Sequence, residues 1–254
     1  MEKKLFTANQ LKMLALVLMF FDHFVSVFLP HNEIANLVFR VLGRTAAPVF
    51  CFFIAQGFYY TSDLKKYITR LLIFAAISHI PYILAFYPGY FVLGLDFIKA
   101  TSVIWPLTMG LIALAVIKNE KIHIILRIAL VGACCVVSYT ANWNYIAVLW
   151  VVFFGLFHGN FVRQSLAFCI IGFFYLLIQP FRLYGIFHPI YPQWFQLGIF
   201  LALPLLALYT GKQGKKSKFN AWFFYVFYPA HLLFLFLLNH LTPVKNILAE
   251  FIGK

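Results

Sequence analysis

The chain has 254 residues, of which 63% are hydrophobic and 20% aromatic, while only 11% are charged. These values exclude an ordinary soluble domain and are typical of a polytopic membrane protein. The formal net charge of +13 would suit a nucleic-acid-binding protein. The basic residues are scattered between apolar segments rather than gathered on one face, so we expect a lipid bilayer and no nucleic acid as a partner.

Apolar runs separated by polar, proline or glycine breaks predict an all-α bundle of about nine transmembrane helices, or ten. The predicted spans are 11–29, 46–61, 68–87, 102–117, 123–139, 145–157, 162–178, 194–209 and 221–239. Lysine and arginine are in excess on the side that includes the N-terminus, so we expect this side to be cytoplasmic. The longest stretches between spans, 30–45 and 179–193, are too short for a core of their own, which predicts one membrane domain over 1–254.

The first span, LKMLALVLMFFDHFVSVFL, contains an aspartate and a histidine, Asp22 and His23. Ionisable groups are costly in hydrocarbon, so this pair is expected to mark a functional site inside the bundle. Imidazole suits general base catalysis near neutral pH, with Asp22 as the group that orients it. Successive residues on a helix point about 100° apart, so the alternative is that Asp22 anchors Arg44 at the start of the second span.

Other polar residues are expected at related depths. His79 and His231 lie near the middle of the third and last spans, roughly level with His23, and each either lines the site or only bonds a neighbouring helix. Lys12 lies on the same helix face as His23 and about 16 Å from it, and either reaches the membrane surface or binds substrate. The basic loop with Lys212 either reports topology or attracts an anionic cofactor such as coenzyme A.

Four segments carry a family resemblance, namely ANQLKMLALVLMFFDHF, GRTAAPVFCFFIAQGFYYT, KKYITRLLIFAAISHIPY and LALPLLALYTGKQGKKSKFNAWFFYVFYPAHLL. With its Asp-His helix, its Tyr-x-Gly-Lys loop and its Phe-Tyr-Pro-x-His-Leu run, the chain resembles the TraX family of transmembrane acyltransferases over most of its length. It departs from the family pattern at 141–144, where Ala-Asn-Trp-Asn stands for Ala-Asp-Tyr-Gly, and at Thr101, Ser102 and Pro106 in the fourth span.

The resemblance implies a bacterial cytoplasmic-membrane enzyme that moves an acetyl group from acetyl-CoA to an extracytoplasmic hydroxyl or amine. The name-giving member acetylates a conjugative pilin, so the acceptor is a pilin subunit or a surface glycan or polymer. His23 would be the general base, with Asp22 beside it. The residues expected to support the site or line its tunnel are Arg44, His79, Tyr228, His231 and Asn144. The residues expected to bind the donor phosphates are Lys12, Arg70 and Lys212.

Two other functions fit the same residues. A transporter or flippase would use Asp22, His23 and Arg44 as a polar relay, and its activity would need a proton gradient and no acyl donor. A catalytically silent scaffold protein in a surface-polymer pathway would tolerate substitution of His23. The histidines lack the paired spacing of a dedicated metal site, so no metal is predicted.

Overall fold

The computed structural model describes residues 4–29, 34–87, 100–184, 194–215 and 218–241. Within these ranges the chain is a bundle of α-helices, with one 3-10 helix at Trp194–Leu201. The α-helices are α1 Ala8–Phe28, α2 Ile34–Gly43, α3 Ala46–Tyr60, α4 Leu64–Phe86, α5 Ile104–Ile117, α6 Ile124–Val137, α7 Asn144–Leu156, α8 Phe161–Tyr184, α9 Ala202–Ala207 and α10 Lys218–Leu241.

Five helical segments are long and apolar enough to cross a membrane. They are Ala8–Phe28, Ile34–Tyr60, Leu64–Phe86, Phe161–Ile178 and Trp222–Leu241. Four shorter apolar helices accompany them, at Ile104–Ile117, Ile124–Val137, Asn144–Leu156 and Phe195–Ala207. Each predicted span coincides with one of these segments, which confirms the predicted all-α membrane bundle.

Two of the long helices begin at residues whose side chains satisfy the first backbone N–H groups, which otherwise lack partners. Thr7 and Gln10 form a reciprocal capping box at the start of α1. At the start of α4, the Asp63 carboxylate accepts a hydrogen bond of 2.9 Å from the backbone N–H of Lys66. This bond, together with the Lys66 ammonium 3.2 Å away, holds the pKa of Asp63 below its usual value.

The short helix α7 lies at the centre of the bundle, in contact with α3, α5, α6 and α8. Its buried Trp150 and Phe154 both pack on Phe168 of α8, with ring centroids 5.0 and 5.8 Å apart. Gly110 lets α5 approach α7 closely, because a Cβ atom there would lie 2.8 Å from the Cβ of Val151. Helix α6 has no buried residue among those described and lies at the periphery.

Helices α1, α4 and α10 run in the same direction and carry most of the predicted site. Lys12 of α1 lies beside Phe224 of α10, and farther along both helices His23 lies beside His231. Helix α10 also packs along α4. The two signature segments of the sequence, the Asp-His helix and the Phe-Tyr-Pro-x-His run, are therefore direct neighbours.

Helix α2 occupies part of the stretch 30–45 that the sequence analysis treated as a connection. It packs against α1 and against the 3-10 helix. Gly43 allows this approach, since a Cβ atom there would lie 2.9 Å from Cγ of Asp22 and 3.1 Å from the carbonyl oxygen of Leu18. The helix was missed because Arg40, and Arg44 just after its end, interrupt the apolar run, although both side chains point into the bundle.

Candidate functional site

Two histidines predicted to lie inside the membrane form a direct pair. His23 and His231 are 8% and 4% exposed. Nδ1 of His23 lies 2.8 Å from Nε2 of His231, and the ring planes differ by only 9°. The other nitrogen of His231, Nδ1, lies 2.9 Å from the backbone carbonyl oxygen of Phe227.

When both rings are neutral, this arrangement determines which nitrogen of each ring carries the proton. The carbonyl of Phe227 can only accept, so Nδ1 of His231 carries a hydrogen and its Nε2 is an acceptor. Nδ1 of His23 then donates to His231, and Nε2 of His23 keeps its lone pair. A proton taken up at that Nε2 leaves both hydrogen bonds intact. The pair therefore has the form of a base held by an orienting partner.

Asp22 pairs with arginines of the next segment. Its Oδ2 accepts a hydrogen bond from Nη2 of Arg44, and its Oδ1 lies 3.8 Å from Nε of Arg40. Among the described residues no hydrogen bond joins Asp22 to His23. Of the two arrangements open from sequence, the structure therefore contains the one in which Asp22 anchors Arg44.

The sequence analysis gave no role to three residues around this ion pair, Arg40, Phe195 and Trp143. The guanidinium carbon of Arg40 lies 3.9 Å from the ring centroid of Phe195, and that of Arg44 lies 5.4 Å from Phe195 and 5.3 Å from Trp143. Arg40 could have been found, because residues four apart share a helix face. The aromatic partners come from distant elements and leave no local sequence signal.

Asn144 shapes the backbone beside Trp143. Both residues have positive φ, 65° at Trp143 and 30° at Asn144. The Asn144 side chain is buried, and its Oδ1 accepts a hydrogen bond of 3.2 Å from the backbone N–H of Ile146. Asparagine tolerates the left-handed region better than most residues that have a Cβ atom. The segment 141–144 thus forms the turn that presents Trp143 to Arg44.

Helices α4 and α10 close the site around the histidine pair. Tyr228 is buried, and its ring centroid lies 5.4 Å from that of His231 and 6.5 Å from that of His23. It lies beside His231 because residues three apart share a helix face. Phe86 meets His23 edge to face at 5.1 Å. His79 lies two turns before Phe86 along α4, which is about 10 Å. It is therefore displaced from the level of His23 toward the start of α4.

The three cations expected to bind donor phosphates lie at the other end of α1. The Lys12 ammonium lies 5.3 Å from the centroids of two phenylalanine rings. The backbone carbonyl of Lys212 accepts a hydrogen bond of 2.9 Å from Ala8, which holds the Lys212 loop at the start of α1. Arg70 is exposed in the first half of α4, which runs parallel to α1. The structure thus brings all three to one end of the bundle.

The elements that form the site lie within a recognisable family pattern. A family model described as TraX protein matches residues 7–239, which include α1, α2, α4 and the Phe-Tyr-Pro-x-His segment. The chain belongs to the TraX family. One relative, named "Probable fimbrial assembly protein FimC, serogroup H1", comes from Dichelobacter nodosus. It is 27% identical over 239 residues, which cover 91% of this chain and 94% of the relative. No solved structure matches the chain.

Proposed function

We propose that this TraX family member is an acetyltransferase of the bacterial cytoplasmic membrane. It would move the acetyl group of cytoplasmic acetyl-CoA to a hydroxyl or amine of an acceptor on the other side. The observation that carries the proposal is the buried His23 and His231 pair, which leaves one imidazole nitrogen as a base. Family membership and a relative named for fimbrial assembly support a pilin subunit or another surface polymer as the acceptor.

In this mechanism Nε2 of His23 removes the proton from the acceptor hydroxyl or amine. The freed oxygen or nitrogen forms a bond to the thioester carbonyl carbon, and the carbon–sulfur bond breaks. His23 then returns its proton to the departing thiolate. The products are an acetyl ester or amide and the free thiol of coenzyme A, and the histidine ends in its starting state.

His231 acts on the reaction through His23. Both of its ring nitrogens are engaged, one by Phe227 and one by His23, so it serves as a positioning residue and not as a donor to the thioester. Tyr228 lies beside both imidazoles and is the residue that we assign to hydrogen bonding of the carbonyl oxygen, where negative charge develops. His79 is assigned to the lining of the path toward the donor end.

The donor would enter from the end of the bundle that contains Lys12, Lys212 and Arg70. These cations suit the phosphate groups of coenzyme A, and the pantetheine arm is long enough to span the distance from Lys12 to His23, about 16 Å along α1. Acetyl-CoA supplies the activated acyl group. The chain supplies the phosphate contacts, the base and its orientation.

Turnover of acetyl-CoA by purified protein in detergent tests the proposal, because no proton gradient exists there. We expect slow release of free thiol without acceptor and faster release with it. Lys12→Met should raise the KM for acetyl-CoA, whereas Lys66→Met, at an exposed ion pair with Asp63, should not. The absence of both thiol release and acetyl-CoA binding in folded protein would contradict the proposal. Activity only in vesicles with a proton gradient would favour a transporter that uses Asp22, His23 and Arg44 as a relay.

A further inference from the structure

The cluster around Asp22 has unequal numbers of opposite charges. Two guanidinium groups, Arg40 and Arg44, face one carboxylate. Their side chains are only 18% and 14% exposed, and among the described residues neither Nε atom has a hydrogen-bond acceptor. A cation that is largely removed from water without a partner is costly. The described part of the site therefore has one positive charge to be neutralised.

The aromatic side chains leave the arginines suitably placed for a ligand. Phe195 stacks against Arg40, and Phe195 and Trp143 flank Arg44. A guanidinium group that stacks through its face keeps its N–H edges available for hydrogen bonds. These edges match the paired oxygens of a carboxylate or phosphate. The stacking also fixes the direction of the edges, which lowers the entropy lost on binding.

We propose that Arg40 and Arg44 bind a carboxylate or phosphate group carried by the acceptor. This inference rests on the proposed acetyl transfer, and it assigns the acceptor to an acidic class. The arginines are anchored by Asp22, which is the immediate neighbour of His23 on α1. The acetylated hydroxyl or amine would therefore lie only a few bonds from the anionic group.

The donor phosphates are a less suitable occupant for these arginines. The cations assigned to the donor lie at the start of α1, whereas Asp22 lies ten residues after Lys12, about 15 Å along the helix. When the thioester of acetyl-CoA reaches His23 from that end, its acetyl group lies near the arginines, whereas its phosphates remain at the start of α1. The anion at Arg40 and Arg44 must then come with the second substrate.

Binding of inorganic phosphate in the absence of acyl donor tests this site independently of catalysis. Purified protein in lipid-free detergent is titrated with phosphate against chloride at constant ionic strength, and the unfolding midpoint is recorded. Binding to the folded protein raises this midpoint. We expect a rise of a few degrees for the wild type, no rise for Arg40→Gln, and an unchanged rise for Arg163→Gln, whose arginine is exposed at the start of α8.

Substitution of the carboxylate should act in the opposite direction. Asp22→Asn raises the charge of the cluster, so the phosphate-induced rise should exceed that of the wild type even if the starting midpoint is lower. Arg40→Lys keeps the charge without the planar group and should retain only part of the rise. Equal rises in the wild type, Arg40→Gln and Asp22→Asn would overturn the site.

Two other occupants give distinct results. Glu33 and Asp96 lie outside the described residues. One result would be that phosphate does not raise the midpoint of the wild type but does raise that of Glu33→Gln or Asp96→Asn. This result would mean that a carboxylate of the chain already neutralises the arginines, and it would overturn the proposal. Loss of the wild-type response on addition of phosphatidylglycerol would assign the site to a lipid headgroup instead, and would overturn it as well.

A kinetic comparison links the site to the acceptor. Arg40→Gln should raise the KM for an acidic acceptor, whereas Arg163→Gln, whose arginine is exposed at the start of α8, should leave that KM unchanged. A fall in kcat at unchanged KM would instead mean that Arg40 stabilises charge in the reaction, which contradicts acceptor binding. If thiol is released but phosphate does not raise the unfolding midpoint, only this inference fails. If phosphate raises the midpoint but the protein neither releases thiol nor binds acetyl-CoA, the proposed function fails.

Discussion

Two histidines at opposite ends of the bundle each bond to a side chain from another helix, yet their settings differ. His23 is buried in α1 and pairs with His231 at 2.8 Å. His158 lies in the turn between α7 and α8, where its Nε2 is 3.1 Å from Oε1 of Gln56 and its ring stacks on Tyr59 at 3.9 Å. An amide oxygen only accepts, so Nε2 of His158 carries a hydrogen and donates it to Gln56.

The difference shows that the partner and its surroundings determine what a histidine can do. The partner of His23 is itself held by a backbone carbonyl, so the proton on each ring is specified, and the neighbouring residues are an ion pair and a buried tyrosine. His158 sits beside Tyr59 at the surface, where partial burial and the nearby Lys118 lower its pKa. The proposed base is therefore His23, whereas the geometry of His158 is that of a structural contact.

The largest expected effect comes from removing each histidine in turn. His23→Ala should lower acetyl transfer by roughly 10²- to 10⁴-fold, the usual contribution of a general base. His158→Ala should leave the rate within about twofold, since the loss of one partly exposed contact affects stability and not the reaction. Thiol release from acetyl-CoA measures both, and monodisperse protein in each case is the control. Equal losses in the two variants would contradict the distinction.

A smaller effect is expected at the partner of His23. His231→Leu leaves Nδ1 of His23 without an acceptor and should lower kcat by roughly 10- to 100-fold, from the cost of an unmade buried hydrogen bond. His231→Gln offers a carbonyl oxygen in its place and should recover part of the rate. The kcat values and their pH profiles measure the effect. A rate for His231→Gln no better than that of His231→Leu would argue against an orienting role.

The close packing of Gly43 against Asp22 should make the stability of the protein sensitive to one added methyl group. Gly43→Ala forces a Cβ atom against the Asp22 side chain and should destabilise the protein by about 1 to 3 kcal/mol, the typical cost of overpacking. Gly132→Ala in peripheral α6 is the matched control, because outside the local backbone of its own helix no atom lies within 4 Å of the added Cβ. That variant should be unchanged or up to about 1 kcal/mol more stable. Unfolding midpoints in detergent compare the two.

The smallest effect concerns the exposed cap of α4 and depends on pH. The pKa of Asp63 is lowered in the folded protein, so its contribution to stability is present above the unfolded value of 3.8 and is lost as the pH falls through the folded value. Asp63→Ala should therefore lower the unfolding midpoint at pH 7, and its difference from the wild type should shrink toward pH 3. Asp63→Asn keeps a capping oxygen without the charge, so its unfolding midpoint should lack the part of the pH dependence that the Asp63 carboxylate contributes in the wild type. A difference independent of pH would contradict this account.

The sequence predicted the helices better than it predicted how they meet. The apolar runs located the spans, and the cost of charge in hydrocarbon singled out Asp22 and His23. The contact between His23 and His231 joins residues 208 positions apart and depends on the register of α1 against α10, which no local pattern specifies. Helix α2 was missed because Arg40 interrupts its apolar run and reads as a surface residue until Asp22 and Phe195 are placed beside it.

The most direct test asks whether His23 and His231 act as one unit in acetyl transfer. The measurement is the rate of thiol release from acetyl-CoA for His23→Ala, His231→Leu and the double variant. If His231 acts only through His23, the double variant should be no slower than His23→Ala, since an orienting residue has no effect once the base is gone. Losses that multiply in the double variant would show independent roles and contradict the account.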